Sequence, residues 1–337
     1  MARPARRRAD AAGAKGTDVS DETPGPDRPR RVTVLAGGVG GARLADGVAC
    51  AEPGSELTVV VNVGDDFEWQ GLRISPDLDT VLYTLSGREG GEGWGLRDDS
   101  TVVLEALSAL GGDAWFRIGD RDLATHLRRT ALLGAGRPLS EVTAELASAL
   151  GVRARLLPVT DDPHPTLIQT DEGELAFQEY FVRRGQQDEV RGVRFPGAEG
   201  ARPAPGVLDA IAQADLVLLA PSNPFVSVAP LLAVPGVRQA LEAARAPRLA
   251  VSPIVGGRAV KGPAAAMLRS LGHEVSALGV ARLLRGLCDV FVLDEVDAGL
   301  APAVAGLGLE PLVADTMMTS RARRAALAGS LLGRWRP

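Results

Sequence analysis

Five apolar runs along the chain end alike. Val32–Ala36, Leu57–Val61 and the cores of "ADLVLLAPSNP", "PRLAVSPIVGG" and "CDVFVLDEVD" each stop at a loop of glycine, proline or acidic residues. Runs that are apolar throughout, without alternation, are strands covered on both faces, as in parallel sheets with helices on each side. Helix-like stretches such as Ala42–Cys50 and Leu78–Leu85 separate them. The pattern predicts an α/β fold with a Rossmann-like parallel sheet flanked by helices. Arg153–Val159 and "EPLVAD" read as further short strands.

Between about 90 and 210 the pattern turns mostly helical, which suggests an insertion or cap. Its helices are Val102–Leu110, "GDRDLATHLRRTALL" and "PLSEVTAELASALG", the last with Ser140 as N-cap and Gly151 as its stop. Thr166–Phe177 reads as a hairpin turning at "DEG". Residues 1–30 are polar, rich in Arg, Pro and Gly, and lack periodicity. They read as a disordered tail ahead of one domain over 31–337.

The 337 residues carry a formal net charge of -5, which gives no general reason to bind nucleic acid or membrane. Arg6–Arg8 is followed by no apolar stretch, so no secretory signal is expected. The longest uncharged run, Leu216–Val237, is broken by Pro221, Pro224, Pro230 and Pro235. It reads as a buried strand, a loop and a short helix, not a membrane span. A cytoplasmic protein is expected. Cys50 and Cys288 lie far apart in apolar contexts and read as buried free thiols. His126, His164 and His273 are scattered and have no cysteine company, which argues against zinc.

The loop in "LAGGVGGARL" lacks the lysine of a Walker A motif. It begins a G-x-G-x-x-G fingerprint but places Arg43 where the third glycine belongs. What survives is anion binding. Gly37, Gly38, Gly40 and Gly41 let backbone N–H groups approach an anion, the following helix points its positive end there, and Arg43 adds a fork. A tight turn without ligand stays open. "NVGDDFEWQGLRISPDLDT" places Asn62, Asp65, Asp66, Asp77 and Asp79 beyond the second strand, where open α/β sheets bind ligands. Carboxylates beside a phosphate loop suit Mg2+; capping of the next helix by Asp77 and Asp79 is the alternative. Ser222 and Asn223 in "LAPSNPFVS" and Ser252 in "SPIVGG" offer polar groups at two further strand ends. Asp120–Asp122 fits a helix cap with ion pairs as well as a site.

"LAGGVGGARL", "VNVGDDFEWQGLRISPDLDTVLYTL", "GWGLRDDS", "GDRDLATHL", "FQEYFVR", "LLAPSNPFVS" and "SPIVGG" occur in an order that resembles the 2-phospho-L-lactate transferase family of coenzyme F420 biosynthesis. The likeness runs from about Val32 to the C-terminal helix, and the arginine-rich tail has no counterpart in it. It implies transfer of a phospho-enolpyruvyl or phospho-lactyl group from a guanosine-diphosphate-linked donor to the ribitol hydroxyl of Fo. GMP is released and dehydro-F420-0, or F420-0, is formed. Carried onto this sequence, it implies Asp65 and Asp79 as catalytic and Mg2+-binding residues, with Asp77 open as the alternative to Asp79. Gly37, Gly38, Gly40, Gly41 and Arg43 would hold the donor phosphates. Ser222, Asn223 and Ser252 would line the nucleotide, and Asp66 and Trp94 would meet Fo, with Trp69 a second aromatic candidate. The Arg- and Ala-rich, lysine-poor composition favours the enolpyruvyl donor, and a homodimer is expected by analogy. A nucleotide-binding regulatory protein of related fold is the competing reading, against which "GDRDLATHL" and "GWGLRDDS" argue. Arg43, and the lack of an acid closing the second strand, argue against an NAD(P) oxidoreductase.

Overall fold

The computed structural model describes Met1 and residues 28–335, so nearly all of the expected tail lies outside the described residues. Seven parallel strands form the central sheet: β1 (Arg31–Ala36), β2 (Glu56–Val61), β3 (Arg155–Pro158), β4 (Leu216–Leu219), β5 (Arg248–Val251), β6 (Val290–Asp294) and β7 (Glu310–Ala314). Their order is β3-β2-β1-β4-β5-β6-β7. β4 and β6 are buried at every position, as their unbroken apolar sequences require, whereas edge strand β7 is half-exposed. The chain leaves β1 toward β2 on one side and returns to pair β4 on the other. That reversal opens a crevice at the carboxyl ends of β1 and β4, the usual ligand position in such sheets.

α1 (Gly38–Ala51) follows β1 and packs against α2 (Pro76–Leu85) and the C-terminal helix Arg321–Arg334. Gly47 permits the second contact, because a Cβ there would lie 2.4 Å from the Arg324 carbonyl. Arg324 ties the layer together, reaching Asp46 at 3.0 Å and Glu89 at 2.6 Å.

The stretch read as an insertion contains α3 (Val102–Ala109), α4 (Asp120–Gly134) and α5 (Leu139–Ala149), but then contributes β3 to the main sheet. Beyond β3, Leu167–Thr170 pairs with Gly173–Ala176 and with Val190–Arg194 in a small antiparallel sheet. Ser140 does not cap α5. The helix begins at Leu139, and Asp161 from a distant loop accepts from the Ser140 N–H at 2.6 Å and its hydroxyl at 2.9 Å. Asp120 caps α3 through the N–H groups of Val102 and Val103 at 3.1 and 3.0 Å. Asp99 does the same for α4 through Arg121 and Asp122 at 2.8 and 3.0 Å. "GDRD" and "RDDS" thus lock two helix starts to each other.

Cys288 is buried and free, with its thiol pushed up to about 12 by burial; Cys50 is free but only partly buried. Among the described residues, no helix is long and apolar enough to cross a membrane.

Candidate active site

The glycine loop joins β1 to α1, with Gly37 as the N-cap and Gly38 at φ +65°, where a side chain would be strained. Two other glycines are fixed by neighbours. A Cβ on Gly37 would lie 2.6 Å from the Ser227 Cβ, and one on Gly40 would lie 2.3 Å from the Pro221 carbonyl oxygen. The loop after β4 therefore sits directly on the glycine loop. Ser222 fastens the two, its hydroxyl donating to the Gly37 carbonyl at 2.8 Å and lying 3.2 Å from the Gly37 N–H. Among the described residues, no acceptor faces the N–H groups of Val39 or Gly40. They are left for an anion at the positive end of α1.

Asp77 reaches this point from the first turn of α2 and accepts the Gly38 N–H at 2.6 Å. The Asn62 amide, at the end of β2, donates to Asp77 at 2.9 Å and stands 3.5 Å from Asp65. Gln178 donates to the other oxygen of Asp65 at 3.1 Å. Asp65 and Asp77 are thus brought together, both buried, and among the described residues no ion pair reaches either. Burial, then the charges of Asp77 and Asp66, holds the Asp65 carboxyl well above the usual carboxylate range. Burial pushes Asp77 up to about 6 against the bonds from Asn62 and Gly38. Asp66 is only partly buried, yet desolvation of its carboxyl raises it well above the usual range; one oxygen accepts from Ser75 at 2.7 Å and the other has no partner among the described residues.

Asp79 stands apart. Both of its oxygens are held by the buried guanidinium of Arg129 from α4, one at 3.0 Å and the other in a shorter contact. His126 lies between Asp79 at 3.6 Å and Asp122 at 3.2 Å, and Tyr83 donates to Asp122 at 2.6 Å. Asp79, Asp122 and His126 are close enough together to hold a metal ion, but Arg129 already supplies the positive charge there.

The polar groups read as nucleotide ligands serve their own loops. Asn223 accepts from the Phe225 N–H at 2.9 Å and points its amide at the Met267 sulfur. Ser252 closes a turn with Ile254. Trp69 is buried in an aromatic cluster with Phe67, Trp115 and Phe116, whereas Trp94 is 48% exposed at the rim beside α1. Arg43 is half-buried and makes no ion pair among the described residues; burial and the Arg324 charge hold its guanidinium below the ordinary value.

Three residues of this arrangement were not singled out from the sequence. Gln178 was signalled only by its place in "FQEYFVR", an amide among aromatics. Ser227 was signalled only as the last residue of "LAPSNPFVS", and Arg129 only as part of "GDRDLATHLRRTALL", where an arginine on a polar helix is ordinary.

The sequence pattern of 2-phospho-L-lactate transferase CofD matches residues 32–328, from β1 into the C-terminal helix. The chain belongs to the 2-phospho-L-lactate transferase CofD family. This CofD-family chain is 45% identical over 309 residues to a phosphoenolpyruvate transferase of Streptomyces griseus, covering 90% of this chain and 97% of that one. It is 40% identical over 301 residues to a 2-phospho-L-lactate transferase of Methanosarcina acetivorans, covering 89% and 97%. Among solved structures, a UPF0052-family protein from Bacillus halodurans superposes with a TM-score of 0.59 at 16% identity, covering 90% of this chain and 99% of its own. That likeness is one of fold alone. CofD membership makes the chain a transferase.

Proposed function

We propose that the chain moves a phosphorylated three-carbon acid from a guanosine-diphosphate-linked donor to the terminal ribitol hydroxyl of Fo. A bond forms between the acceptor oxygen and the phosphorus bearing the acid, and the bridge to GMP breaks. The observation that carries this reading is the pairing of two buried, uncompensated carboxylates with free N–H groups at one sheet edge. The N–H groups of Val39 and Gly40, with Arg43, bind diphosphate oxygens. Asn62 and Gln178 hold Asp65 and Asp77 in place.

The donor set fits Mg2+, a hard cation that takes carboxylate and phosphate oxygens. Asp65 and Asp77 would hold it; Asp79, expected in that role, is already saturated by Arg129. When bound, the ion neutralises charge on the diphosphate and on the departing GMP. The attacking hydroxyl needs orientation more than a strong base, and Asp65 can supply orientation or be committed to the ion. The guanosine moiety lies along the loops after β4 and β5, where Ser222 and Ser252 are engaged within the fold and Asn223 keeps an amide N–H to offer beside the backbone. Trp94 offers an aromatic wall for the acceptor ring, and Asp66 steadies Ser75 ahead of α2. The higher identity to a phosphoenolpyruvate transferase supports the enolpyruvyl donor. A homodimer belongs to the same reading.

The test is a coupled assay with Fo, GTP, Mg2+ and the guanylyltransferase that makes the donor, supplied with phosphoenolpyruvate or 2-phospho-L-lactate. Product with the mass of dehydro-F420-0 is expected with the former, and at least a hundredfold less (roughly 3 kcal/mol or more of transition-state stabilisation) from Asp65→Ala and Asp77→Ala. Product from phospho-lactate alone reverses the donor. No product from either, with the partner shown active, overturns the reading.

A further inference from the structure

Among the described residues, two cations at the rim of the glycine loop make no ion pair, although the Glu92 charge acts on one of them, Lys261. Arg43 follows Val39 on one face of α1, and its Nε is buried without a partner. The carboxylate acting on it, Glu89, is already engaged by Arg324 at 2.6 Å and by the Thr84 hydroxyl at 2.9 Å. Lys261 arrives from beyond β5, just past the short strand Arg258–Ala259. Its ammonium stands 4.3 Å from the centre of the Trp94 ring and donates to the Glu92 carbonyl.

Gly93 closes the gap between them. Its φ is +88°, and a Cβ there would lie 2.7 Å from Val39 and 3.4 Å from the Arg43 guanidinium. Only glycine lets this segment lie on α1 and hold Lys261 near Arg43. Partial desolvation and the Arg43 charge, against that of Glu92, keep the Lys261 ammonium below its ordinary value. The fold thus brings two like charges together at the Gly93 segment that lies on the first turns of α1, and among the described residues neither is closed off by an ion pair. Their repulsion is relieved when an anion enters.

We propose that Arg43 and Lys261 form one oxyanion clamp, with Lys261 pre-set by the Trp94 ring and the Glu92 carbonyl. Arg43 supplies a planar fork and Lys261 a point charge, together suited to phosphate or carboxylate oxygens. Naming the donor as the source of that anion rests on the transferase reading; the clamp itself does not.

The test is calorimetric titration of the full chain with pyrophosphate and, separately, with phosphoenolpyruvate. Wild type binds at least one. Lys261→Gln weakens binding about tenfold or more, in keeping with loss of one charged hydrogen bond. Lys261→Arg weakens it far less, and Trp94→Leu falls between, keeping the charge but losing its placement. Because Lys261 is exposed, the variants melt as wild type does. A loss confined to phosphoenolpyruvate assigns the clamp to the acid's carboxylate; a loss for both assigns it to phosphate oxygens. Wild-type affinity for both probes in Lys261→Gln, or no binding by wild type at millimolar concentration, overturns the clamp. In the coupled assay, an unchanged donor KM in Lys261→Gln, with the calorimetric loss intact, removes the donor as the clamp's anion and leaves both the clamp and the transferase. Pyrophosphate binding without any product from wild type does the reverse.

Discussion

Gly40 has a structural reason to lack a side chain besides the one its sequence suggests. A row of glycines after a strand implies close backbone approach, and anion binding was the approach inferred from sequence. The structure adds a second one, from the Pro221 carbonyl, 2.3 Å from where a Cβ would stand. Gly40→Ala therefore has to push two loops apart. A stability loss of about 1–3 kcal/mol is expected, visible in a urea melt, together with an activity loss larger than that destabilisation explains. Wild-type stability in Gly40→Ala would show that the two loops are not packed as described. The acidic residues were legible as a group because Asp65, Asp66, Asp77 and Asp79 fall within fifteen positions of one loop and helix start. Their division of labour was not. Asp77 and Asp79 differ by two positions in one helical turn, so they point to different sides. Asp77 turns to Gly38, and Asp79 to an arginine fifty residues away. No local pattern encodes that partner.

At the scale of elements, α2 is held to α4 by a buried ion pair, and that contact sets where the first turn of α2 delivers Asp77. Arg129 lies at 2% exposure, with Asp79 on one side and the charge of Asp66 nearby. Removing one member of such a pair leaves an uncompensated buried charge. Arg129→Met is expected to cost about 3–5 kcal/mol, and the double variant Arg129→Met/Asp79→Leu less than the single one. Thermal or urea unfolding of the three proteins decides it. A double variant as unstable as the sum of the two singles would mean the residues are not coupled. Elements were readable where burial is continuous, as in β1, β4 and β6. The hairpin Phe67–Trp69 with Leu72–Ile74 was read as loop, because three-residue strands are too short to display alternation. Its Gln70–Gly71 turn, both at positive φ, gave only a weak signal. β3 was read as a strand, but nothing in its sequence said that it joins the main sheet beside β2 instead of staying with the helices before it.

At the scale of the molecule, folding gathers carboxylates from the loop after β2 and from α2 into one crevice, and among the described residues no basic side chain pairs with Asp65 or Asp77. The modest net charge gave no hint of this, since it sums over a surface where Arg and Asp or Glu are already paired. The consequence is a dependence on pH and on cations. Asp77 rises from 3.8 to about 6 on folding, so between those values the folded chain keeps a proton that the unfolded chain has released. Its stabilising contribution is present below about pH 4 and is lost as pH rises through 6. Asp65 and Asp66 shift in the same direction for the same cause, burial. Above that window the ionised Asp77 carboxylate is ready for a divalent cation, which stabilises the folded chain as its occupancy rises. The rise in Tm caused by millimolar Mg2+ should therefore be larger at pH 7.5 than at pH 5. It should shrink in Asp77→Asn, whose unfolding free energy should also change less steeply than wild type between pH 4 and 6. The ceiling on that difference is about 1.4 kcal/mol per pH unit for one proton. Calorimetric scans at the two pH values, with and without Mg2+, measure both effects. An equal Mg2+ shift at pH 5 and 7.5, undiminished in Asp77→Asn, would remove Asp77 from the cation site.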